Sequence, residues 1–227
     1  MKIKKISKKI ITLLAAIILY SFAIVLTIHS QLGASPWDVF HLGVVNHSSL
    51  TLGQVSQLTG LVIIIAGIFL GEIPGFGSLM NMYFIGYFVD IIRKYQLVPY
   101  VDQLWQQFLM LILGIYLIGW ATYFYLGVGM GSGPRDSLMV GLIKKFNASV
   151  WLIRAIIEGT ALVIGYLLGG LVGIGTIIMT FFIGFAIQHV FKIMKKSPAD
   201  IQHTTLLDIY NILKEKPFKK EIEKEKG

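Results

Sequence analysis

Cysteine is absent from the 227 residues, which excludes disulfide bridges, iron–sulfur clusters and thiolate metal sites. Charge is scarce as well. Asp, Glu, Lys and Arg together make 14% of the chain, against about 25% in a soluble domain. Hydrophobic residues make 55%, and the mean hydropathy is +0.73. A chain so composed lacks the polar surface to cover itself in water. A soluble enzyme, a DNA-binding domain and a disordered protein are excluded together. Metalloprotease, nucleophile-elbow and phosphate-loop motifs are missing too, so the sequence leads us to expect no enzymatic activity and no cofactor.

What the chain does have is long apolar runs. A span needs about 17–25 mostly apolar residues to cross the hydrocarbon. Six stretches qualify: Ile10–Ile28, Gln54–Leu70, Phe76–Ile92, Phe108–Leu126, Val150–Leu168 and Gly173–Phe191. The expected fold is an all-α membrane protein. Asp38–Val45 is apolar but too short, and reads as a half-helix or re-entrant segment. The first span follows a lysine-rich start but lacks a clear small-x-small cleavage site, so it is expected to be retained.

The net charge of +8 sits at the two ends. Between Ile10 and Phe191, Arg93, Lys94, Arg135, Lys144, Lys145 and Arg154 balance Asp38, Glu72, Asp90, Asp102, Asp136 and Glu158. The excess lies in Lys2, Lys4, Lys5, Lys8 and Lys9 and in the lysines that follow Phe191, namely Lys192, Lys195 and Lys196. Lysines flanking an apolar body mark the cytoplasmic face, so both termini are expected there. Residues 1–196 are expected to form the membrane domain and 197–227 a charged cytoplasmic tail. Within that tail, Thr204–Leu213 has the pattern of a short amphipathic helix, and Lys214–Gly227 that of a solvated, disordered end.

The chain repeats itself at a shift of 98 residues. Gly33-Ala-Ser35-Pro36-Trp37-Asp38 falls on Gly131-Ser-Gly133-Pro134-Arg135-Asp136. Gly43 falls on Gly141, Gly67 on Gly165, Leu70-Gly71 on Leu168-Gly169, Gly75-x-Gly77 on Gly173-x-Gly175, and Phe84-Ile-Gly86 on Phe182-Ile-Gly184. Repeat one covers about 10–94 and repeat two about 108–192. Each copy holds three spans. An odd number puts the second copy into the membrane from the opposite side, the inverted arrangement of many secondary transporters. The two Pro–Asp loops are then expected to meet near the bilayer midplane.

Each Pro–Asp motif reads as a helix start, with Ser35 or Gly133 at N-cap, Pro36 or Pro134 at N1, and Asp38 or Asp136 at N3. Such a terminus offers free N–H groups and partial positive charge to an anion, although each carboxylate is expected mainly to cap its own helix. Thr51 with Gln54 makes a capping box for the second span, and Ser149 takes Thr51's place in the other copy. The every-fourth-residue glycines Gly67, Gly71 and Gly75, and Gly165, Gly169 and Gly173, suggest smooth packing stripes. Gly75, Gly77, Gly173 and Gly175 are expected to permit sharp loop geometry.

Arg154 and Glu158, four apart on the fifth span, break the symmetry, since Ser56 and Gly60 hold the matching places. Charges there are costly and face a partner or a water-filled cavity. Asp90 reads as a helix-end partner of Arg93. Asp38 and His41 have the spacing of a relay or half a metal site, but Met139 in the matching place favours an ordinary hydrogen bond. The candidate binding residues are therefore Ser35, Pro36, Asp38, Gly133, Pro134, Arg135, Asp136, Arg154 and Glu158, with no metal.

With the doubled Pro–Asp motif, Pro74-Gly-Phe-Gly-Ser78 and Gly173-Ile-Gly-Thr176 in hand, residues 8–195 resemble the bacterial YczE/YyaS/YitT group of membrane proteins, and within it the YczE-like members. The resemblance implies a multi-pass protein of the bacterial plasma membrane with a permease-like body, and no defined activity. The leading expectation is a permease for a small anionic or zwitterionic solute. A non-transporting scaffold or accessory protein for an export or biosynthetic system is the alternative. The expected surroundings are the lipid bilayer. A solute, a second copy of the chain or another membrane protein stand as candidate partners, and nucleic acid does not.

Overall fold

Local signals in the chain account for where each helix starts and stops. The computed structural model describes residues 2–196, 201–208 and 211, and among these it contains eight helices and no strand. They are α1 (Lys2–His29), α2 (Pro36–Asn46), α3 (Leu52–Phe69), α4 (Phe76–Lys94), α5 (Leu104–Gly127), α6 (Pro134–Phe146), α7 (Val150–Leu167) and α8 (Ile174–Ile193). The predicted caps are in place. Thr51 Oγ1 accepts the Gln54 N–H at 3.1 Å while Gln54 Oε1 accepts the Thr51 N–H at 2.9 Å. Ser149 accepts the N–H of Leu152.

Five helices are long and apolar enough to cross a membrane: Ile6–His29 within α1, then α3, α5, α7 and α8. The remaining expected span, now α4, has comparable length at 19 residues, but Asn81, Asp90, Arg93 and Lys94 leave it short of that apolarity. The half-helix reading holds for both copies. α2 has 11 residues and α6 has 13, so at 1.5 Å per residue each covers roughly 16–20 Å, less than a hydrocarbon core of about 30 Å.

α1 packs on α5 and α4, α5 on α8, α2 on α7, and α3 on both α4 and α6. The main core is aliphatic: Leu13, Ile17 and Val25 of α1 lie with Val39, Leu52, Val89 and Val128. Ser21, buried in α1, donates to the Ile17 carbonyl and reaches the Ile85 carbonyl of α4.

Contacts between the halves recur when both residue numbers move by 98. The Gly77 N–H donates to the Met130 carbonyl at 2.6 Å, and the Gly175 N–H to the Leu32 carbonyl at 2.7 Å. Gly33 (φ +126°) presses on Thr176, and Gly131 (φ +125°) presses on Ser78, with a Cβ at either position 2.5–2.6 Å from the opposing hydroxyl. These contacts correct the expected glycine roles. α3 ends at Phe69 and α7 at Leu167, so of each proposed stripe only Gly67 and Gly165 lie on the helix. Gly75 and Gly173 are extended residues pressed against the backbone of the other half. Gly71 and Gly169, with φ of +86° and +73°, make the turns instead.

Beyond α8, Thr204 donates its N–H to the Gly129 carbonyl and Leu206 to that of Pro74, both at 3.0 Å. Leu206–Asp208 is helical. Ile209, Tyr210 and Leu213 of the expected tail helix, and Lys214–Gly227, lie outside the described residues. The Thr205 N–H and hydroxyl hold the Asp208 carboxyl below its usual range. Burial holds the His203 imidazole below its ordinary value.

α7 supplies a direct test of this packing. A Cβ on Gly165 would sit on the backbone of α2, 2.5 Å from Phe40 Cα. Gly165→Ala should therefore cost about 1–3 kcal/mol, seen as a lowered unfolding midpoint in detergent. Gly159 faces open space, so Gly159→Ala should leave that midpoint unchanged or raise it by the helix preference, about 0.5–1 kcal/mol.

Candidate functional site

The two Pro–Asp motifs open onto one cavity. Ser35 is extended and caps α2. Its hydroxyl accepts the Asp38 N–H at 3.3 Å and donates to the Asp38 carboxylate. Pro36 at N1 costs no hydrogen bond there, because the first helical N–H groups have no partner within the helix. Asp38 is 5% exposed, and its Oδ1 lies 3.7 Å from Nδ1 of buried His41. Gly133 takes the N-cap place of α6 with no side chain to offer, leaving Asp136 at N3 facing the lumen. Ser78 donates to the Ser132 carbonyl, fixing the loop before α6 from the side of α4.

The cavity has a volume of about 550 Å³. All nine candidate residues named from the sequence line it: Ser35, Pro36, Asp38, Gly133, Pro134, Arg135, Asp136, Arg154 and Glu158. The motifs touch directly, since the Arg135 guanidinium lies 4.7 Å from the Trp37 ring centroid. Trp37 and Arg135, which hold matching places in the two motifs, thus make a cation–π contact between them, worth about 0.5–2 kcal/mol.

Arg154 and Glu158 pair as expected, with Nε 2.9 Å from Oε1. Both side chains also line the cavity. The side chains are 53% and 27% exposed, facing the lumen, so the pair resembles a hydrated one worth about 0–1 kcal/mol. Asp90 is corrected. Rather than pairing with Arg93, it reaches back to α3, where it accepts the Gly53 N–H at 2.9 Å and the Thr51 hydroxyl. His29 donates from Nδ1 to the Val98 carbonyl at 2.9 Å and stacks on Tyr100.

Several lining groups escaped the sequence reading. Tyr125 is buried against the cavity, as is His41, already weighed with Asp38; among the described residues the Tyr125 hydroxyl and His41 Nε2 have no hydrogen-bond partner. Tyr20, Ser56, Thr59, Asn81, Thr122 and Thr180 add further polar atoms. The available signal was polar residues three apart on otherwise apolar helices, Ser56 with Thr59 and Thr122 with Tyr125. Around the lumen stand three carboxylates (Asp38, Asp136, Glu158) and two guanidinium groups (Arg135, Arg154). No three His, Asp or Glu side chains converge on a metal position among the described residues. A second, almost wholly apolar cavity of about 510 Å³ shares Trp37, Thr59, Ile63 and Ile157 with the first.

A family described as "Family of unknown function (DUF6198)" matches residues 7–192, nearly the whole helical body. The chain belongs to this family. It is similar to the "Uncharacterized membrane protein YczE" of Bacillus subtilis, 35% identical over 176 residues that cover 77% of this chain and 81% of that one. An "Uncharacterized protein" of Haemophilus influenzae is 32% identical over 191 residues, 84% and 87% of the two chains. The "Uncharacterized protein YyaS" of Bacillus subtilis is 28% identical over 177 residues, 77% and 88%. No solved structure matches. The YczE/YyaS resemblance read from the motifs therefore holds, and with the apolar helices it makes the chain a membrane protein.

The exposed Arg154–Glu158 pair yields a prediction. Arg154→Gln leaves Glu158 hydrated in the lumen, so folded protein should be recovered in near wild-type amount, with a stability loss of no more than about 1 kcal/mol. Size-exclusion recovery together with the unfolding midpoint in detergent checks it. A collapse in recovery would mean that the pair holds the fold.

Proposed function

We propose that the chain is a small-solute transporter of the bacterial plasma membrane, with six spans in two inverted three-helix halves and both termini cytoplasmic. One observation carries this reading: a cavity with five charged side chains in an otherwise largely apolar wall, where the starts of α2 and α6, one from each repeat, come together. The odd number of helix crossings per copy and the reciprocal contacts at a shift of 98 support the inversion. The lysine bias supports the orientation. A scaffold has no need of an open lumen with charged groups in its wall, so the alternative from the sequence is the weaker one. Neither a catalytic residue nor a cofactor enters the proposed cycle.

The wall of the lumen carries both signs of charge. The helix starts and the two guanidinium groups suit a carboxylate or phosphate, while Asp136 and Glu158 suit an ammonium group. A zwitterionic solute meets both, and a simple anion meets half. Arg135 holds the anionic end from its seat on Trp37, and Asp136 beside it holds the cationic end.

Two experiments test this. Proteoliposomes screened with labelled zwitterions and anions should take up at least one class, with uptake lost at least tenfold in Arg135→Gln. If no member of either class is taken up or raises the unfolding midpoint, the reading fails. Reporter fusions after Lys94 and after Lys145 should report outside and inside respectively. The same side for both would rule out the inverted arrangement.

A further inference from the structure

The two hairpins beside the cavity stand in different states. In α3–α4 the backbones meet at Gly53 and Gly86, and a Cβ on either glycine would strike the carbonyl of the other. Asp90 then ties the end of α4 to the start of α3 through the Gly53 N–H and the Thr51 hydroxyl. A carboxylate suits that place, because it faces the positive end of the α3 dipole.

Moving each position by 98 gives Trp151 for Gly53, Gly184 for Gly86 and Gln188 for Asp90. Only the glycine at 184 survives the exchange, and its contact does not. Trp151 is 77% exposed, Gly184 faces open space, and α7 packs on α2 and α6 rather than on α8. An indole where the first hairpin has only a hydrogen leaves no room for the same close approach, and a neutral amide replaces the capping charge. The cavity follows the gap: it extends along α8 to Ile187, but along α4 it stops at Ile85, short of Gly86 and Asp90.

From this asymmetry we infer that the α3–α4 contact is a closed gate latched by Asp90, that the α7–α8 gap is an open gate on the opposite face, and that the two exchange. The open gate lies at the end of the bundle that carries Lys144, Lys145 and Lys192, so the cavity opens to the lysine-rich face. The inference deepens the transport reading and takes its purpose from it, but its test does not depend on uptake.

The absence of cysteine makes the test clean, since spin labels attach only where cysteines are introduced. Ser49 and Lys94 are exposed at the free end of α3–α4, and Asn147 and Lys192 hold the matching places on α7–α8. Pulsed electron–electron distances between labels at each pair, in lipid nanodiscs, should be short for the first pair and longer for the second. Asp90→Asn weakens the latch, and Trp151→Gly removes the indole from an exposed site where misfolding is not a concern. Either change should add a longer population at 49/94 and, in the same protein, a shorter one at 147/192. Equal distances for the two pairs in the unmodified chain would overturn the inference. So would a shift at one pair without the opposite shift at the other, or no shift in Trp151→Gly. Exchange without uptake of any solute would uphold the gates and sink the transport reading. Uptake with rigid distances would do the reverse.

Discussion

Inside hydrocarbon a backbone N–H or carbonyl has no water to fall back on, and each one left unpaired costs several kcal/mol. Two helices that start at the cavity rather than at the membrane surface make this constraint acute, because each exposes its first turn and the loop before it. The chain meets it by having each half satisfy the other. The Gly77 N–H takes the carbonyl of Met130 in the loop before α6, and the Gly175 N–H takes the carbonyl of Leu32 in the loop before α2. Neither of these two bonds lies within one half. The glycines around these bonds follow from the same requirement, since Gly33 and Gly131 lie too close to Thr176 and Ser78 for any side chain to fit.

That mutual dependence explains which parts of the structure were legible in the sequence. Helix ends are local events, and the Ser35–Pro36–Asp38 start, the Thr51–Gln54 box and the Ser149 cap could each be read from a few adjacent residues. The meeting of the Pro–Asp motifs could be read because the repeat brings its own geometry. Glycine defeated the reading because one residue type serves three purposes. Gly165 lets α2 approach, Gly169 makes a turn, and Gly173 yields to the opposite half, yet all three share one four-residue spacing. Asp90 failed for a different reason: its partners are about forty residues away in sequence, while Arg93 is three.

The site was legible in its charged residues and less so in its neutral ones. Arg135, Arg154, Asp136 and Glu158 stand out in an apolar chain because they are costly to place there. A tyrosine hydroxyl or a threonine costs less, so Tyr125, Thr59 and Thr122 do not announce which side of the helix faces the lumen. The degree of hydration is not local information at all. Arg154 and Glu158 are four apart on any helix, but only the space beside α7 decides whether the pair is buried or wet.

That space lies where two copies of one helical plan differ in sequence. Were the copies identical, closing one hairpin while opening the other would produce the same object seen from the opposite side, and the two forms would be equally populated by symmetry. Any preference must then originate at positions where the copies differ, such as Gly53 against Trp151 and Asp90 against Gln188. A difference of about 1.4 kcal/mol is a tenfold bias in such a balance. If the two hairpins do exchange, the resting form is a property that a few residues at the hairpin ends can set, without any change to the lumen.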